Sequence, residues 1–132
     1  MSLEYIRLSQ DSKERLVRLK RKTGIENWNV LCRWAFCLSL AEPSVPPDRK
    51  VAADSNVEMT WRVFGGPHHD TYYVLLKQRC LKDGFDTDTE TLARQFHLHL
   101  TRGIAYLAGM KGLKSIDGLT GLAEQTTESD AA

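Results

Sequence analysis

The sequence predicts a mainly α-helical, oligomeric fold, and three observations carry that reading. Apolar residues recur at helical spacing over most of the chain. Period-two alternation is confined to two short stretches. One helical segment, between Trp28 and Ala41, has only Asn29, Arg33 and Ser39 as polar residues. A helix apolar nearly all round is a central one, buried by its own domain or by a partner subunit.

The elements follow in order. Residues 3–8 alternate loosely and predict one short strand. Ser9 and Asp11 are candidate helix caps, and Asp11 with Glu14 has capping-box spacing. The first helix then runs to about Thr23, and Gly24 supplies its stop. Asn27 caps the second helix, which continues to Glu42 before Pro43. Residues 43–56, with Pro43, Pro46 and Pro47, predict an unusually long connecting loop.

Val57, Met59, Trp61 and Val63 alternate with polar residues and predict a second strand, turned by Gly65-Gly66-Pro67. Asp70 is expected to cap a helix through Leu81, ended by Gly84. Thr87 and Glu90 have capping-box spacing for a last helix, whose apolar face is Leu92, Phe96, Leu100, Ile104 and Leu107. Strand, helix, helix is the order of a ribbon-helix-helix module, so the N-terminal part is expected to be ribbon-helix-helix-like. A short strand and two further helices complete it. One helical DNA-binding and oligomerisation domain is expected over residues 1–114, with a flexible acidic tail over 115–132.

Composition sets few limits. The chain has 132 residues, 42% hydrophobic and 27% charged, with net charge +1, so charge distribution matters more than its total. Cys32, Cys37 and Cys80 make an odd count. Those in the apolar segment read as buried free thiols of a reducing compartment. No signal-peptide pattern or membrane-length apolar run is evident, and a cytoplasmic location is expected.

Charge concentrates in the first helix. Lys13, Arg15, Arg18, Lys20, Arg21 and Lys22 are six cations within ten residues, against Glu14. At 100° per residue, Arg15, Arg18, Arg21 and Lys22 fall within an arc of about 120°, with Leu16, Val17 and Leu19 elsewhere. A helix so charged repels itself, and a polyanion relieves the repulsion while releasing counterions. DNA or RNA binding is one reading; a solvated helix face is the other. Lys20 projects nearer the apolar side, as ligand or as packing.

Other candidates for chemistry are weak. Cys32 and Cys37 sit about 140° apart on a helix and cannot share a metal. His97 and His99 also diverge, so no metal site is expected. Gly65-Gly66-Pro67-His68-His69-Asp70 admits a phosphate nest or an acid–base pair, but each residue also serves a strand-to-helix turn, which is the preferred reading. Arg33, alone in the apolar helix, needs a salt bridge or an exit to solvent. Arg49 and Lys50 are candidates to extend the basic surface. No nucleotide-binding glycine pattern or nucleophile elbow occurs. Neither an enzyme nor a cofactor is expected.

Four runs narrow the choice: residues 5–9 (Tyr-Ile-Arg-Leu-Ser), 18–24, 27–36 and 61–66 (Trp-Arg-Val-Phe-Gly-Gly). With residues 96–107, they resemble the DndE family of bacterial DNA phosphorothioation, over roughly residues 3–112. The resemblance implies a role in replacing a non-bridging phosphate oxygen of DNA by sulfur. It implies work beside a cysteine desulfurase, an iron–sulfur sulfurtransferase-like protein and an ATPase, and a homo-oligomer with a tetramer favoured. It also implies DNA contact for Arg15, Arg18, Lys20, Arg21 and Lys22, and no catalytic residue. The expectation is a non-catalytic DNA-binding component with little sequence readout. Its rivals are an assembly scaffold and a ribbon-helix-helix repressor reading bases through Tyr5 and Arg7; a nuclease using His68, His69 and Asp70 is the weakest.

Overall fold

In the computed structural model, which describes residues 3–110, β1 (Tyr5–Arg7) leads into α1 (Gln10–Thr23) and α2 (Trp28–Ala41). A long coil reaches β2 (Glu58–Thr60), one helical turn α3 (Trp61–Gly65) and a 3-10 turn (Gly66–His68). The helices α4 (His69–Lys82) and α5 (Thr89–Gly109) follow. The acidic tail expected over 115–132 lies outside the described residues.

β1 and β2 pair antiparallel, with Ile6 opposite Met59 and Arg7 opposite Glu58. Ile6 and Met59 face the core, while the Arg7 guanidinium bonds the Glu58 carboxylate on the outer face. The strand that a ribbon-helix-helix module pairs with a second subunit therefore takes its partner here from the same chain.

The expected strand over 57–63 is cut short. Thr60 Oγ1 accepts the Val63 N–H at 3.1 Å, which caps a helical turn. Helical spacing then brings Trp61 and Phe64 together, their ring centroids 5.1 Å apart. Burying both outweighs alternation that only one of them would satisfy.

Of the two candidate caps for α1, Ser9 takes the position and Asp11 lies in the first turn. Two other expected caps move. Asp88, rather than Thr87, caps α5 by accepting the Thr91 N–H at 3.1 Å. Asp70 lies inside α4, which begins at His69. Gly24 and Gly84 do stop their helices, at φ of 75° and 85°.

The core is the contact of α2 with α5. A Cβ at Gly103 would lie 1.8 Å from the Ala35 carbonyl oxygen, so only glycine allows this approach. Around it Phe36, Phe64 and Phe96 form a buried cluster, with Phe64 and Phe96 centroids 4.9 Å apart. The apolar α2 is thus largely buried by its own chain; Leu31, Cys32, Ala35, Phe36 and Ser39 are covered. Cys37 and Ala41 are exposed on its other side.

Of the two thiols in the apolar segment, Cys32 is buried as expected and Cys37 reaches solvent beside Tyr72; Cys80, on α4, is also buried. Burial pushes the Cys32 thiol up to about 12. Arg33 forms no salt bridge among the described residues. It donates to the Gly65 carbonyl at 3.4 Å, because the turn before α4 passes directly over it.

Candidate nucleic-acid interface

The local sequence of α1 fixes which face it buries. Ser12, Leu16, Leu19 and Thr23, at spacings of four, three and four, are covered by the rest of the chain. Thr23 Oγ1 donates back to the Leu19 carbonyl at 2.7 Å, and the Gly24 N–H closes the helix on Lys20 O at 2.9 Å. Lys20, Arg21 and Lys22 occupy the last turn, where cations also oppose the helix dipole. Part of the charge run thus has a structural use.

The six predicted cations divide into two groups. Arg18, Arg21 and Lys22 are exposed and Arg15 is half-buried. None of these four has a carboxylate within ion-pair reach among the described residues. Helical spacing sets all four on one side. Lys13 and Lys20 lie on the other flank and are occupied: the Lys13 ammonium donates to Asn56 Oδ1, and Lys20 Nζ stands 3.9 Å from the Trp28 ring centroid. In this arrangement Lys20 packs on the Trp28 ring.

The Gly65–Asp70 loop is a tight joint. Gly66 takes φ 59°, and a Cβ there would lie 2.7 Å from the Arg33 guanidinium. Trp61 Nε1 donates to the His69 carbonyl at 3.1 Å. His69 Nδ1 lies 3.2 Å from its neighbour Asp70, and His68 is exposed. The turn that the sequence suggested is present, though it follows a helical turn rather than a strand.

Sequence reasoning missed two buried arginines. Arg79 donates to Asp83 and to the carbonyls of Leu40, Glu42 and Ser44, each at 2.8 Å. Arg102 donates to the Ser39 and Ser44 carbonyls at 2.8 Å and to Ser39 Oγ at 2.9 Å. Together they satisfy the free carbonyls at the end of α2 and fasten the coil that follows. The available signal was Arg102 standing inside the apolar run of α5.

The fold and this site define a small, mainly helical protein whose candidate site is a cationic helix face. Among the described residues no three His, Cys, Asp or Glu side chains are grouped to hold a metal, and no helix is long and apolar enough to cross a membrane. The family model described as "DNA sulphur modification protein DndE" matches residues 5–115. The chain belongs to the DndE family, as the sequence runs suggested.

A search of curated proteins returns no match. Among solved structures, the chain is similar to the crystal structure of DndE from Escherichia coli B7A involved in DNA phosphorothioation modification. That similarity has a TM-score of 0.68 and 23% identity over 81% of this chain and 98% of that one. A glycine-to-lysine mutant of DndE gives a TM-score of 0.62 at 20% identity, with the same coverage of both chains.

Proposed function

We propose that this chain is a non-catalytic DNA-binding component of a bacterial phosphorothioation system, gripping the phosphate backbone through α1. The observation that carries the reading is the row Arg15, Arg18, Arg21 and Lys22, which lacks internal carboxylate partners among the described residues. A cationic row without internal neutralisation is suited to a polyanion, and family membership makes DNA the polyanion to test. Phosphate contacts position a protein without specifying sequence, so little base readout follows.

Sulfur exchange at a phosphate favours an opened backbone, so the binding preference is for nicked or distorted duplex. A homotetramer would multiply the cationic rows and raise avidity for a long polyanion. The working partners are a cysteine desulfurase, an iron–sulfur sulfurtransferase-like protein and an ATPase, in the cytoplasm.

Charge reversal at Arg18, Arg21 and Lys22 tests the grip. Duplex affinity falls and the salt dependence of binding flattens if α1 is the contact. Unchanged affinity sinks the reading. Competition of nicked against intact duplex tests the preference, and equal affinities remove it.

A second reading, an assembly scaffold, draws on α4. Val74 and Leu81, seven residues and so about 20° apart on α4, are exposed at 51% and 64%, apolar side chains of the kind that meet protein. Charge reversal on α1 that spares DNA binding but abolishes complex assembly would select it. The ribbon-helix-helix repressor is less favoured, because Arg7 is engaged by Glu58.

A further inference from the structure

The coil between α2 and β2 has no regular structure, yet it is tied down at both ends. At its start, Arg79 and Arg102 hold the Ser44 carbonyl at 2.8 Å each. Asp48 is bound by Arg94 of α5. At its end, Asp54 Oδ1 accepts the Gln10 N–H at 2.8 Å, Ser55 Oγ donates to the Leu8 carbonyl at 2.7 Å, and Asn56 takes the Lys13 ammonium. A long coil held by this many specific bonds is ordered for a reason beyond connection.

The bonds are not evenly shared between charges. Both carboxylates of the coil after Pro43, Asp48 and Asp54, are exposed but bonded, Asp48 by Arg94 and Asp54 by the Gln10 N–H. Both of its cations, Arg49 and Lys50, are exposed and make no hydrogen bond or ion pair among the described residues. The tethers engage the anions and leave the cations open. The Asp54 tether also fixes where they stand. It joins the coil to the first residue of α1, and Lys50 lies four residues before it, at most about 14 Å of extended chain.

We infer that Arg49 and Lys50 form a second phosphate-contacting element beside α1, held in place before DNA arrives. The inference rests on the DNA-binding reading and deepens it. A coil whose backbone is already tethered loses little backbone entropy on contact, so its two cations add more affinity than they would on a free loop. The role of Arg79 and Arg102 follows. They touch no phosphate, but they fasten the coil that presents the contact.

The test uses the full chain carrying Arg49→Gln and Lys50→Gln, titrated against a nicked duplex across a salt series. The expected result is a log–log salt slope shallower by about 1.8, about 0.9 for each phosphate that the variant no longer neutralises. Affinity at low salt should fall by roughly tenfold, with a thermal melt equal to wild type.

A control removes the same charge elsewhere, through Arg62→Gln and Lys82→Gln, both exposed and outside α1 and the coil. It should leave the slope unchanged. An equal drop in the control means net charge alone is felt, and overturns the inference. So does an unchanged slope in the coil variant when an Arg18→Gln, Arg21→Gln variant weakens. Wild-type chain that binds no duplex overturns the DNA reading itself, and the coil inference with it.

Discussion

Arg79 and Arg102, on different helices, donate to the same acceptor, the Ser44 carbonyl oxygen, each at 2.8 Å. Two guanidinium groups this close repel each other. Carbonyl oxygens at the end of α2, the negative end of its dipole, and the nearly buried Asp83 carboxylate offset that repulsion. Arginine suits the place because its planar fork reaches several acceptors at once.

Replacing Arg79 with alanine should therefore cost about 3 kcal/mol of stability, read from urea denaturation. It strips the Leu40 and Glu42 carbonyls of their arginine donor, leaves Ser44 to Arg102 alone, and leaves Asp83 buried without its cation. Arg79→Lys should recover only part, since an ammonium cannot span Leu40, Glu42 and Ser44. A full recovery would mean that charge, and not the fork, holds the end of α2.

Gly103 gives the sharpest steric prediction. A methyl group there meets the Ala35 carbonyl at 1.8 Å, and backbone cannot swing aside as a side chain can. Gly103→Ala should separate α2 from α5 and cost about 3 kcal/mol. The same substitution at exposed Gly109, where a Cβ meets nothing within 4 Å, serves as the control and should change stability little.

His99 makes stability depend on pH. Its Nδ1 lies 2.8 Å from Ser39 Oγ, which already accepts Arg102 Nε–H at 2.9 Å. The neutral imidazole and the hydroxyl share one hydrogen bond, whose direction follows the ring's tautomer. Burial, and then Arg79 and Arg102 nearby, lower its pKa from 6.5 to about 4, against a weaker opposing pull from Asp83. The unfolded chain then binds a proton that the folded one refuses between those values. Stability is full above pH 6.5 and is lost as pH falls towards 4, by up to about 3 kcal/mol. His99→Gln should flatten that slope, with a remainder from His97, also lowered by burial. A slope identical to wild type would assign the pH dependence elsewhere.

On α1 the two flanks should behave differently. Lys20 rests on Trp28, so Lys20→Ala should lower stability while weakening duplex binding less than Arg21→Ala. Parallel melts and binding isotherms separate the two effects. A larger binding loss at Lys20 would mean that it leaves the indole to reach phosphate.

The order of the elements, the two glycine helix stops and the buried faces of α1 and α5 were legible in the sequence. Each depends on local spacing or on a backbone conformation that glycine favours. The cationic row on α1 was legible for the same reason, as was the family through its longer runs. Caps were misplaced by one or two residues, because several neighbouring side chains offer an equally good oxygen and packing chooses among them. Trp61 and Val63 misled because they continue the alternation of Val57 and Met59, and the aromatic cluster, which brings Trp61 and Phe64 to one side, decided for a helical turn. Only the tertiary structure showed that Arg79 and Arg102 converge on Ser44, that Lys13 and Lys20 are already occupied, and that Asp48 and Asp54 are bonded to the protein while Arg49 and Lys50 stay open. Those facts depend on contacts between residues far apart in the chain, which local periodicity cannot encode.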